Sequence, residues 1–229
     1  MSFFVPQSPP RRPREPIFLA PPAPLYLAGV FAVIHALVFF VLPTGLAGEI
    51  FVRSALIPLK FTIDDAAVRA EAFANLVTHG FLHDGLMHLF VNALWLLAAG
   101  GGVSRHAGGR VMFTIFILCT IAGGICFTLL RWDSDAMAIG ASGGISGLLA
   151  VAVRFHFGRF FAGGVAPLRI RPVVAVSVMY VGINAAIAVW DVLFPESASG
   201  FAWEAHVGGY LAGLLLAPFF SPRRPGPAI

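Results

Sequence analysis

Apolar residues run along this chain in six long blocks, separated by shorter stretches that hold nearly all of its charge. The blocks fall at about Pro24–Pro43, Gly85–Ala99, Val111–Leu130, Ala141–Phe157, Pro172–Trp190 and Ala202–Phe220. Lengths near twenty residues suit helices that cross a hydrocarbon layer of about 30 Å. The first block follows several arginines, as a signal peptide would, but exceeds the usual h-region of about 7–15 residues and reads as a retained anchor. The pattern predicts an all-α membrane protein, a bundle of six transmembrane helices. An even number of spans puts both termini on one side.

Charge gives an independent test of that count. With the N-terminus inside, the inner stretches hold Arg11, Arg12, Arg14, Arg105, Arg110, Arg154, Arg159, Arg169, Arg171, Arg223 and Arg224. The outer ones hold only Arg53, Lys60, Arg69 and Arg131, and every acid except Glu15 falls outside. This is the positive-inside pattern, and five or seven spans would destroy it. Three regions follow: residues 1–23, a disordered, proline-rich basic cytoplasmic tail; residues 24–220, the membrane domain; and residues 221–229, a short cytoplasmic tail.

Composition agrees. The 229 residues are 58% hydrophobic and 11% charged, with mean hydropathy +0.86, whereas soluble domains carry roughly a quarter charged residues. A net charge of +4 raises the question of nucleic acid. Short basic clusters between apolar blocks are topology signals instead, so no nucleic-acid partner is expected. Cys119 and Cys126 share one block, about 10 Å apart along a helix, too far for a disulfide. The outer connection from Thr44 to about Asp84 mixes apolar patches (Ile50-Phe51-Val52 and Ala55 to Leu59) with charges. Two readings stand, a surface loop with a short helix and a loop half sunk in the membrane interface; the apolar content, poorly placed in water, favours the second.

Four polar residues sit where lipid gives no reason to keep them. Ser142, in Gly140-Ala141-Ser142-Gly143, opens the fourth block at its outer end. Backbone N–H groups and the helix dipole there favour a developing negative charge, although serine is also an ordinary helix cap. His206 lies near the outer end of the sixth block; its imidazole exchanges protons near neutrality, or simply bonds a carbonyl. Gly143 and Gly147 on one helix, and Gly209 and Gly213 on the other, form small faces that permit close packing. Packing them brings hydroxyl and imidazole to one depth. His88 and Asn92, spaced i, i+4, share a face of the second block and suit oxyanion donation or interhelical bonding. His79 and His83 precede them, but no His-Glu-x-x-His and no acid cluster completes a metal site. Neither metal nor cofactor is expected.

Together these residues resemble the rhomboid intramembrane serine proteases, over the second to sixth blocks. Gly140-Ala141-Ser142-Gly143 is similar to that family's Gly-x-Ser-Gly nucleophile motif. Ala205-His206 followed by Gly209 and Gly213 resembles its general-base helix, and the His79–Asn92 segment its oxyanion donors. The resemblance implies a serine endopeptidase cutting transmembrane protein substrates in the lipid bilayer of a bacterial inner membrane, its site opening to the outer face. Ser142 would attack, His206 would move the proton, and His88, Asn92 and the Ser142 backbone would hold the oxyanion. The outer connection would be the family's embedded loop and the fifth span its substrate gate. Two departures stand out: no Trp-Arg pair occurs between Thr44 and Asp84, and Ser146 replaces the tyrosine that often stacks on the histidine. An inactive client-binding relative and a small transporter are the alternatives; the intact Ser and His oppose the first, and a one-sided polar cluster the second. Physiological substrate and oligomeric state are not written in the sequence.

Overall fold

The computed structural model describes residues 21–157, 160–161, 164–165, 170–194 and 200–220. Residues 1–20 of the N-terminal tail, all of 221–229, and Arg159 and Arg169 of the charge pattern lie outside the described residues. The described chain is a multi-helix membrane bundle. Helix α1 (Pro22–Ala36) runs on through a wide turn to Val41; α2 is Thr44–Ser54 and α3 Ala66–Thr78. Then α4 (Leu86–Trp95) continues through Gly100 into α5 (Gly101–Ala107), and α6 is Gly109–Leu130. The C-terminal half holds α7 (Ser142–Phe157), α8 (Ile170–Leu193) and α9 (Trp203–Leu216), the last ending in a tighter turn to Phe220.

Four segments are long and apolar enough to cross a membrane: Pro22–Val41, Leu86–Ala107, Gly109–Leu130 and Ile170–Leu193. The second of these reaches eight residues beyond the expected Ala99. Gly100, Gly101 and Gly102 continue the helix, and a Cβ on Gly100 would fall among Leu96, Leu148 and Met112, one on Gly102 beside Ala152. The fourth and sixth expected spans are shorter helices of 16 and 14 residues, about 24 and 21 Å long. Both are packed into the interior. Helix α9 lies between α6 and α7, against each of which it makes its main contacts.

The reason for that packing is small side chains. A Cβ on Gly209 would strike the carbonyl of Gly143, and one on Gly213 that of Gly147. On the other flank, a Cβ on Gly123 would fall 2.5 Å from the Ala205 carbonyl oxygen. Three helices therefore meet backbone to backbone. Around this seam pack Met112, Ile115, Phe116, Cys119, Ile145, Leu148 and Val151, all buried.

The connection between the first two spans folds into two helices, α2 and α3, where one short helix was expected. Asp65 caps α3 by accepting from the Ala67 and Val68 amides, at 2.7 and 3.2 Å. The last carbonyls of α2 are satisfied by side chains. Lys60 Nζ donates to Val52 and Arg53, Thr78 Oγ1 to Ser54, and Asn75 Nδ2 to Ala55. No Trp-Arg pair is needed to anchor this region. It is tied instead to residues 131–141 by the Leu56–Ala138 backbone pair, by Leu59 N–H to the Ser134 carbonyl, and by Thr62 Oγ1 donating to Asp133.

His79 and His83, outside the apolar spans, are each about 2% exposed. Burial pushes both imidazoles down to about 4 from the ordinary 6.5; neighbouring His88 and His35 lower His83 further, while the Asn75 carbonyl opposes the shift at His79. Both stay neutral when folded but take up protons below about pH 6.5 once unfolded. Their stabilisation is complete above that pH and declines as pH falls toward 4, by roughly 3 kcal/mol for each ring. The thermal unfolding midpoint in detergent should therefore drop between pH 7.5 and pH 5; a flat midpoint over that interval would contradict it.

Candidate functional site

Ser142 begins α7 and His206 lies one turn into α9, and the glycine seam sets them side by side. His206 Nε2 stands 2.6 Å from Ser142 Oγ. His206 is buried and Ser142 half-buried, so the hydroxyl keeps an opening while the imidazole is walled in. Among the described residues no carboxylate pairs with His206. Its ring is held by Phe201, just ahead of α9, whose ring stands nearly perpendicular to it (85°) with centroids 4.1 Å apart.

Residue 140 fixes the approach to the nucleophile. Gly140 has φ +110°, a conformation that favours glycine, and its N–H bonds the His79 carbonyl at 2.9 Å. A Cβ there would fall 2.6 Å from His88 Nε2 and 3.8 Å from Ser142 Oγ. Thus the His88 imidazole and the Ser142 hydroxyl border the same small volume. The amides that open α7 lack carbonyl partners within the helix, as at any helix start. Two kinds of donor, backbone and imidazole, flank one hydroxyl.

The other expected residues are placed as follows. Asn92 is buried, and its Nδ2 donates to the His88 carbonyl at 3.0 Å, within its own helix; among the described residues no hydrogen bond joins it to Ser142 or His206. His79 Nδ1 bonds the Asn75 carbonyl at 2.7 Å, and His83 packs against Phe31 and His88. No group of three or more His, Cys, Asp or Glu side chains converges for a metal among the described residues. Gly143 and Gly147 face Gly209 and Gly213 across the seam.

Ser146 does not stack on His206. Its hydroxyl donates back to the Ser142 carbonyl at 2.6 Å and lies 2.5 Å from Tyr180 OH on α8. Tyr180 in turn stacks on Tyr210 of α9, centroids 4.4 Å apart, and Ser177 bonds the Tyr210 hydroxyl. Elsewhere α8 is largely exposed, with Val174, Val178, Met179 and Ile183 all outward. These hydroxyls are its main polar hold on α7 and α9. An apolar opening of about 350 Å³, lined by Ala186, Ile187, Trp190 and Phe201, separates the end of α8 from the residues preceding α9.

Three partners of the site carry little sequence signal. Phe201 is an isolated aromatic between Gly200 and Ala202. Glu204 is buried and accepts from Arg131 Nε at 2.6 Å, tying the end of α6 to the start of α9. Asp84 accepts from His88 Nδ1 at 2.6 Å; the i, i+4 spacing could have shown this last pair.

Comparison with known proteins places this arrangement in context. The family model of the Rhomboid domain matches residues 70–223. The rhomboid protease GlpG of Photorhabdus laumondii is 28% identical over 143 residues, 62% of this chain and 45% of that protein. The rhomboid proteases GlpG of Serratia proteamaculans and Yersinia pestis are 26% identical over 145 residues, 62% of this chain and 46% of each relative. The chain thus spans about half the length of the curated relatives it matches.

Proposed function

Because the chain belongs to the rhomboid family, we propose that it is an intramembrane serine endopeptidase working through a Ser142–His206 dyad. The 2.6 Å contact between Ser142 Oγ and His206 Nε2 carries this reading. His206 accepts the hydroxyl proton as Ser142 attacks a peptide carbonyl, then donates it to the leaving amine. The oxyanion forms beside the first amides of α7 and His88 Nε2, donors held in place before reaction. Asn92 steadies the turn that carries His88, through its bond to the His88 carbonyl. Phe201 does for His206 what a carboxylate does in a triad: it fixes the ring.

The substrate is a transmembrane segment of another membrane protein. Helix α7, at about 24 Å, is shorter than a 30 Å apolar layer, which supports a Ser142 placed below the membrane surface. An exposed apolar surface on α8 and the opening beside Phe201 suit a helix arriving from lipid. The charge pattern supports both termini cytoplasmic and the site facing outward, and the bacterial relatives support an inner-membrane location. Exposed Leu46, Val52 and Phe73 suit an α2–α3 region resting in the interface.

A fluorophosphonate probe tests the reading directly. Full-length protein in detergent should be labelled once, with the adduct mapping to Ser142 by peptide mass spectrometry. Absence of label, or an adduct elsewhere, would remove the nucleophile from the assignment.

A further inference from the structure

We infer that Asp84 is a positioning residue for His88: its carboxylate holds that imidazole doubly protonated, with Nε2–H facing the oxyanion. The inference rests on the protease reading above and deepens it. It begins with the 2.6 Å contact between His88 Nδ1 and Asp84 Oδ1. A carboxylate only accepts, so Nδ1 carries the hydrogen. In a neutral imidazole that leaves Nε2 as a bare acceptor. Yet Nε2 is the nitrogen lying against Gly140 and bordering the same volume as Ser142 Oγ. An acceptor there would repel an oxyanion. Only the imidazolium offers Nε2–H to it while Nδ1–H stays on Asp84.

The groups facing His88 favour this arrangement over its alternatives. Asp84, one turn earlier, is the single acid in contact among the described residues. His83 meets the His88 ring edge-on, centroids 5.2 Å apart. From α9, the His206 imidazole reaches the same hydroxyl, its Nε2 2.6 Å from Ser142 Oγ. From the start of α7 come the uncharged Gly140 and Ser142. Without Asp84, a positive His88 would stand between two other imidazoles uncompensated. With it, the positive charge is balanced at rest, and is balanced again by the oxyanion as His206 takes the serine proton. A charge-assisted hydrogen bond is about twice as strong as a neutral one.

Asp84 is exposed, so its substitution should leave the fold intact. Asp84→Ala, Asp84→Asn and Asp84→Glu would be compared with wild type on a single-span fluorogenic reporter, across neutral to alkaline pH. Asp84→Ala and Asp84→Asn should reduce kcat about tenfold or more at pH 8, with KM little changed. Asp84→Glu should restore most of the rate. Nitrogen-15 spectra of histidine-labelled protein supply a readout independent of activity, with His88 assigned through His88→Asn. At neutral pH both ring nitrogens of His88 should be protonated in wild type, and one should be unprotonated in Asp84→Ala. Equal kcat and identical ring-nitrogen signals in wild type and Asp84→Ala would overturn the role of Asp84, while leaving intact a protease whose Ser142 still takes the fluorophosphonate. Loss of that label in wild type would instead overturn the protease reading.

Discussion

Ser142→Ala is expected to abolish cleavage of a single-span reporter, lowering kcat by roughly 10⁴–10⁶-fold, and His206→Ala to do the same. The two groups act as a unit. Without the hydroxyl there is no nucleophile, and without the imidazole the hydroxyl keeps its proton. The double variant should thus be no worse than either single one, since the effects of a functional unit do not add. Stability gives the control. Ser142→Ala removes a hydrogen bond to a half-buried hydroxyl, a change of about 1 kcal/mol, so the unfolding midpoint should barely move. Gel-resolved cleavage in proteoliposomes, paired with a thermal scan, separates loss of chemistry from loss of fold. Full cleavage by Ser142→Ala would end the dyad assignment; an intact fold without cleavage isolates the missing oxygen as the cause.

How much of this site could be read from the sequence depended on what the physics leaves visible. Ser142 and His206 are legible because glycines four residues apart have few uses in an apolar helix other than close packing. Gly143 and Gly147 could therefore be matched to Gly209 and Gly213 before any coordinates. Gly123 on α6 also meets α9, at the Ala205 carbonyl, but it has no glycine four residues away to mark a third helix in the seam. The region between the first two spans was harder. Its order comes from side chains reaching backbone carbonyls, as when Asn75 bonds Ala55 twenty residues away, and such bonds have no period. Position 146, where the family often has a stacking tyrosine, holds Ser, and the aromatic partner of His206 comes from Phe201 on another segment. Only a fold could join those two.

Gly209→Ala tests that seam with a single methyl group. The added carbon would collide with the Gly143 carbonyl and lie 3.2 Å from the Cys119 carbonyl oxygen. Both obstacles are backbone, on α7 and α6, so no side-chain rotation relieves them. The helices must separate, and interior packing tolerates that poorly. The expected loss is about 3 kcal/mol, at the upper end of ordinary overpacking because no rotamer absorbs it. Function should fail even sooner. Gly209 lies three residues past His206, so moving α9 outward by 1 Å stretches the Ser142–His206 contact beyond hydrogen-bonding range; a misplacement of that size can reduce rate about 100-fold. Gly29→Ala in α1 and Gly182→Ala in α8 are the matched controls, since a Cβ at either position meets nothing within 4 Å. Those variants should be neutral or slightly stabilising, by up to about 1 kcal/mol. Thermal unfolding and fluorophosphonate labelling, run on all three, should single out Gly209→Ala on both measures. Equal behaviour of the three would mean that the backbone contact between α7 and α9 does not hold the dyad together.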